Sequence, residues 1–274
     1  MIRFQSAART LAAAVLAWVI ASPRVARADD ETGVLSSRHK TYESPQRFAL
    51  EVRLGPYYPR VDTNPTLAQT GPYAGPYQQT FGTSARVEVA GEFDYQAYRI
   101  PGVGTIGPGI SVGYTSASGL APLLKPEGGQ KYSAETTSLT IYPMYAVAVL
   151  RFDILDRAFH VPFVPYLKGG IGYALWQASN SGGTSVSSTA RGAQTNGVLG
   201  EGATWGTQLA VGLGIDLNFL DRRASQGFDN ATGVNHTYVF GELMRADLSG
   251  LFQSSSHTLY VGDYTWMSGV AFEF

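Results

Sequence analysis

From Gln46 onward, apolar and polar residues alternate at a period of two, in stretches separated by Gly, Pro, Ser and Asn. That period is the mark of strands with one apolar and one wetter face. In the first stretch Phe48, Leu50, Val52 and Leu54 face one way and Arg47, Ala49, Glu51 and Arg53 the other, with Tyr57 and Tyr58 at its end. The second repeats the rule: Ala85, Val87, Val89, Phe93 and Tyr95 alternate with Arg86, Glu88, Glu92, Asp94 and Gln96. A third strand is predicted over 105–115, with Ile110, Val112 and Tyr114 opposite Gly109, Ser111 and Gly113. The fourth, 137–151, sets Leu139, Ile141, Tyr145, Val147 and Val149 against Thr140, Tyr142, Met144, Ala146 and Ala148, with weak charge contrast. Pro143 inside it predicts a bulge, because proline cannot donate to a ladder; the apolar run 141–150 also reads as a buried helix.

The fifth strand, 161–177, carries Leu167, Ile171, Tyr173 and Leu175 opposite Tyr166, Lys168, Gly170, Gly172 and Ala174. The sixth alternates most cleanly, from Trp205 to Phe219, with Asp216 on its polar face. At roughly 3.3 Å per residue it reaches about 50 Å, longer than a tilted lipid crossing. A seventh spans 236–247 with Glu242 turned inward. The eighth, 264–274, shows Trp266, Ser268, Val270, Phe272 and Phe274 on one face and Thr265, Met267, Gly269, Ala271 and Glu273 on the other. Long connections (56–81, 116–132, 178–202, 248–263) follow the odd strands; shorter ones follow the even strands, that at 221–235 with room for a short helix. The pattern predicts an all-β fold: a closed, antiparallel, up-and-down transmembrane β-barrel of eight strands, with long extracellular loops and shorter periplasmic turns. Ten strands follow instead if the first or third long connection hides a hairpin.

Composition agrees. Charged residues make up 15% of the chain, against roughly 25% in soluble domains, and Gly (32) and Tyr (16) are abundant. A net charge of −1 argues against a nucleic-acid partner, which needs a basic face. The absence of Cys removes disulfides, Cys-ligated zinc and thiol catalysis. At the N-terminus Arg3 and Arg9 precede an apolar run, 11–21, and then Ala26-Arg27-Ala28. This is the order of a secretory signal peptide, and the run is shorter than the about 20 residues of a spanning helix; an uncleaved anchor is the alternative. The expected organisation is a signal peptide at 1–28, a flexible periplasmic segment at 29–45 and the barrel at 46–274.

These features resemble the small bacterial outer-membrane β-barrels of the OmpA/OmpW-like class. The segments LGPYYP (54–59), PYLKGGIGY (165–173) and DYTWMSGVAFEF (263–274) further resemble a myxobacterial outer-membrane β-barrel family of unassigned role. The resemblance implies location in the outer membrane among its lipids, with delivery by periplasmic chaperones and the β-barrel assembly machinery. It implies neither catalytic residues nor a cofactor. The last strand resembles the assembly signal of such barrels, which assigns that role to Trp266, Val270, Phe272 and Phe274; Ser268 departs from the pattern, being polar where an apolar residue is expected.

The candidate chemistry lies inside. Glu51, Arg53, Arg86, Glu88, Glu92, Asp94, Lys168, Asp216 and Glu273 form the inward charged set. In a narrow lumen opposite charges pair, because an unpaired buried charge costs several kcal/mol or more; a salt-bridged plug is the first expectation. Acids outnumber bases in the set, so a narrow cation-preferring conduit is the alternative. Tyr57, Tyr58, Tyr73 and Tyr77 read either as an interface girdle or as a binding surface on the outer loops. A lipid hydrolase needs a Ser nucleophile beside a His base; only His257, after Ser254, Ser255 and Ser256 and near Asp263, stands in the right loop. No His pair has ligand spacing. The pairs Gly128-Gly129 and Gly182-Gly183 lack the Lys-Ser/Thr of a phosphate loop. The reading is therefore a non-enzymatic barrel.

Overall fold

The structure, a computed structural model, describes residues 47–65, 75–123, 130–159, 161–184, 186–187, 198–220, 222–251, 253 and 258–274. The signal peptide and lead-in predicted at 1–45 lie outside the described residues. Eight long strands follow in order: β1 (Phe48–Tyr57), β2 (Arg86–Tyr95), β3 (Gly104–Pro122), β4 (Tyr132–Arg151), β5 (Phe163–Asn180), β6 (Glu201–Asp216), β7 (His236–Asp247) and β8 (Asp263–Glu273). Each pairs antiparallel with its neighbours in sequence, and β8 pairs with β1, so the sheet closes on itself. The closing ladder runs from Ala49↔Glu273 to Leu54↔Ser268. At its end the Phe48 and Phe274 amides donate to each other's carbonyls at 2.9 and 3.0 Å.

The short segments Tyr98–Ile100 and Gly183–Thr184 only extend the edges of β3 and β5. The described part of the first long connection holds a 3-10 turn (Arg60–Thr63) and helix α1 (Pro76–Phe81) rather than a hairpin. In the third, Val186–Ser187 pairs with Val198–Leu199 as a separate two-stranded sheet that does not join the barrel, so the barrel has eight strands, not ten. Helices α2 (Ile154–Phe159) and α3 (Arg222–Thr232) lie in connections at the end where Arg47 and Phe274 meet, called the near end below.

Along most strands the apolar face looks out and the charged face in. Val87 is 66% exposed and Leu209 63%, while Glu88 and Glu92 are each 1% exposed. β4 is the exception. Its aliphatic face, Leu139, Ile141, Tyr145, Val147 and Val149, is buried in the lumen, and Ala146 and Ala148 are exposed. Glycines opposite make the room: a Cβ on Gly172 of β5 would come within 3.1 Å of the Tyr145 ring and 2.7 Å of Leu248.

Pro143 causes no bulge. The β3–β4 register is the same on either side of it, at Val112↔Met144 and Thr115↔Ile141, and the bridges lapse only beside the residue that has no N–H. The register shift in this hairpin lies instead between Leu120 and Pro122. The stretch 141–150 is strand, not helix. β3 runs to Pro122, past the predicted end at 115, because its polar residues pair across the hairpin: Ser118 and Ser138 share a hydrogen bond at 2.8 Å. β6 stops at Asp216, short of the predicted 219. The Asp216 carboxylate accepts the Asn218 N–H at 2.8 Å and starts a 3-10 turn, Leu217–Phe219.

The walls are unequal. β3 to β6 have 16 to 20 residues each, whereas β1, β2, β7 and β8 have 10 to 12. At the far end the long wall rises beyond the short one, and α1 packs on its inner face, with the Thr80 carbonyl against Gly119.

Candidate functional site: the charged lumen and its cap

Alternation along six strands aims charged side chains at one region of the lumen. β1 supplies Glu51 and Arg53, β2 supplies Glu92 and Asp94, β5 Lys168, β7 Glu242 and β8 Glu273; Arg151 ends β4. Arg53 Nη1 lies 3.0 Å from Glu92 and 2.8 Å from Glu242, and its Nη2 donates to Ser111 Oγ at 2.7 Å. Lys168 Nζ is 2.6 Å from Glu51, 2.5 Å from Glu92 and 3.5 Å from Glu242. Arg151 reaches Glu51 at 2.7 Å, Asp94 at 2.6 Å and Glu273 at 3.1 Å. Phenols complete the acceptors: Tyr166 donates to Glu242 at 3.1 Å and Tyr238 to Glu273 at 3.0 Å.

Three cations thus hold five carboxylates, all out of water. Each buried ion loses several kcal/mol of hydration, which only multiple short contacts offset. The oxygens of Glu51, Glu92 and Asp94 come within 4.8 Å of one another. Lys168, Arg151 and Arg53 are already paired with them, so this trio is an ion-pair centre.

The structure places seven of the nine predicted charged residues at one level or next to it. Glu51, Arg53, Glu92, Asp94, Lys168 and Glu273 belong to the cluster. Glu88, two inward positions above Glu92 on β2 with Ala90 between them, is equally buried but has no ion pair among the described residues. Two residues sit elsewhere. Arg86 lies at the far end of β2, half-buried, and its guanidinium donates to the Phe81 carbonyl at 2.7 Å, which ties down α1. Asp216 lies at the near end and pairs with His236 Nδ1 at 2.6 Å. Both were placed in the lumen set by face alone, and alternation says nothing about height. Arg151 is the residue that sequence reasoning missed. It shares the face of Val147 and Val149, and that aliphatic face gave no sign of being inside.

Above the cluster the lumen is filled by apolar side chains. Tyr57, Val61, Tyr77, Leu139, Ile141, Tyr145, Leu248 and Val261 form one buried core at the far end. The Tyr57 hydroxyl donates to the Val261 carbonyl. Asp62 accepts the N–H groups of Tyr77 and Gln78 at 2.8 and 2.9 Å, and so holds the start of α1. Tyr77 packs edge-on against Tyr58, ring centroids 5.2 Å apart, and burial pushes its phenol up to about 12. Tyr57 and Tyr77 are therefore cap residues, 1% and 2% exposed, rather than a surface for partners; Tyr73 lies outside the described residues. Ser254, Ser255, Ser256 and His257 do as well. Asp263, their would-be partner, has its carboxylate engaged by the Tyr58 and Tyr264 amides at 2.8 and 2.7 Å.

No protein-family model and no curated protein matches the chain. Among solved structures, Ail, the attachment invasion locus protein of Yersinia pestis, aligns over 85% of this chain and 100% of its own at 10% identity, with a TM-score of 0.38. The N-terminal β-barrel domain of Pseudomonas aeruginosa OprF aligns over 84% and 100% at 11% identity, with a TM-score of 0.37. Likeness at this level carries no functional argument, and the barrel assignment rests on the closed ladder itself.

Proposed function

We propose that the protein is an integral outer-membrane barrel with a structural or surface-interaction role, not a catalyst, and that its lumen is shut. The carrying observation is the inversion of the usual protein surface. The ring of strands exposes Val52, Leu54, Val87, Val89, Ile110, Val112, Leu167, Ile171, Leu209, Val211 and Leu243 while it buries its ion pairs. Only an apolar solvent favours that arrangement, and only a closed ladder leaves no backbone group unpaired in it. Two seals in series, the ion cluster and the apolar cap, support a closed interior. Outer-membrane lipid and the assembly and chaperone machinery of the periplasm are the partners this reading requires; the segments 54–59, 165–173 and 263–274 suit the myxobacterial family without adding chemistry.

The test is fractionation of cells followed by planar-bilayer recording of the purified protein. Recovery with the outer membrane and no steady conductance are expected; a soluble periplasmic protein would overturn the membrane reading. A second reading, a narrow cation-preferring conduit, is favoured by the excess of carboxylates over cations at the cluster, and steady cation-selective currents would establish it instead.

A further inference from the structure

The outer face of the long wall changes character at one level across all four strands. The registers of β3 with β4, β4 with β5 and β5 with β6 align outward residues into rows. The row Val112, Met144, Tyr173, Trp205 is apolar and aromatic, with the Tyr173 and Trp205 rings 4.6 Å apart. The next row, Tyr114, Tyr142, Leu175, Ala203, continues it, with Tyr114 and Tyr142 at 5.5 Å. The row above is Ser116, Thr140, Gln177, Glu201, and above that stand Ser118, Ser138 and Ser179.

Six of the seven residues in these polar positions are uncharged, and the wall beneath them is packed from within. Its inner face is backed by Ala117, Leu139, Trp176, Ala178 and Phe81 of the cap core. Ser116 and Thr140 approach at 3.3 Å, Ser118 and Ser138 at 2.8 Å, and Gln177 Nε2 donates to Thr184 at 2.8 Å. A hydroxyl engaged once keeps further donor or acceptor capacity, so the paired groups still offer hydrogen bonds outward. Four strands about 4.8 Å apart and two rows about 7 Å apart make a curved polar patch about 14 Å along the barrel wall.

We propose that this patch is a docking surface for the uncharged saccharide headgroups of lipids packed around the barrel. The inference rests on the membrane reading above. Continuity with the aromatic rows fixes the occupant: whatever lipid chains cover Tyr114, Tyr142, Tyr173 and Trp205 must carry their headgroups at the level of Ser116, Thr140 and Gln177. The charge of the patch fixes its chemistry. Among the described residues its rows hold no Lys or Arg to pair with a phosphate, and the exposed Glu201 repels one; sugar hydroxyls match Ser, Thr and Gln as both donors and acceptors.

The test refolds the mature protein into phosphatidylcholine vesicles containing a minor fraction of either digalactosyldiacylglycerol, an uncharged diglycosyl lipid, or anionic phosphatidylglycerol. Lipid retained through detergent extraction is then quantified by mass spectrometry. Enrichment of the diglycosyl lipid over phosphatidylcholine by about fivefold, the size of one or two net hydrogen bonds, is expected, with no enrichment of the anionic lipid. Thr140→Ala combined with Gln177→Ala brings the ratio to parity, and Gln177→Lys shifts the preference to phosphatidylglycerol. Folding of each variant is read independently from its heat-modifiable gel mobility. Equal retention of both lipids, or unchanged enrichment in folded variants, overturns the proposal. Failure of the wild-type protein to insert into vesicles would instead defeat the membrane reading.

Discussion

Arg53 and Glu88 lie on neighbouring strands, each 1% exposed, yet they stand in opposite energetic positions. Arg53 holds two carboxylates and a serine hydroxyl. Its removal leaves Glu92 and Glu242 with less compensation in a medium that does not hydrate them, a change that costs about 3–5 kcal/mol. Arg53→Met should lower the unfolding free energy of the bilayer-inserted protein by that amount, read as a lower urea midpoint at unchanged slope. Glu88 holds no ion pair among the described residues, and its Oε2 meets no hydrogen-bond donor. Glu88→Gln removes a buried charge without orphaning a partner, so its midpoint should stay level or rise. A large loss in that variant would mean that Glu88 anchors Arg53 electrostatically.

At the scale of elements, β8 and the cap behave differently. β8 is held on both sides, by β7 along 263–273 and by β1 only between Ala49↔Glu273 and Leu54↔Ser268. Beyond Leu54 the backbone ladder stops, and Pro56, with no N–H to give, is tied to β8 through its carbonyl by the Thr265 hydroxyl. Register at this seam is therefore set at the near end, where Phe48 and Phe274 exchange hydrogen bonds. Deletion of Phe274 should reduce the amount of protein in the outer membrane while export across the inner membrane continues, as read by fractionation and immunoblot. The cap carries a phenol with a raised pKa, Tyr77. A raised pKa means that the folded state holds the proton more tightly than the unfolded chain, so this contribution to stability is complete below pH 10 and declines as pH rises towards 12. Tyr77→Phe should flatten that part of the alkaline decline in cap stability, measured by proteolysis of the far-end connections.

At the scale of the whole molecule, the proposed reading has the barrel shut at two levels, by the ion cluster and by the cap. Widening the cap alone, with Ile141→Ala and Leu248→Ala, should cost several kcal/mol in the manner of buried large-to-small changes and still give no conductance, because the ion cluster stands beneath it. Currents should appear only when Arg151→Gln is added, and they should prefer cations, since five carboxylates then face two cations. An open channel in the cap variant alone would show that the cluster does not seal.

Strand existence was legible in the sequence wherever the two faces differ in polarity. β1, β2 and β7 were read to within about two residues because a charged face and an apolar face leave a single way to set the strand in a closed sheet. The same contrast marked Glu51, Arg53, Glu92, Asp94, Lys168 and Glu273 as inward. Periodicity assigns a side chain to a face, however, and not to a height or to an inside. Tertiary structure decided those: Arg86 and Asp216 went to opposite ends of the barrel, and the aliphatic face of β4 turned inward with Arg151 at its foot. The ends of β3 and β6 were also beyond local reading. A strand polar on both faces looks like a loop until its partner is known, and a carboxylate that caps a turn looks like any other until the turn forms. Local pattern fixed which residues share a side; closure of the ring, which packs eight strands around one narrow axis, decided which of them meet.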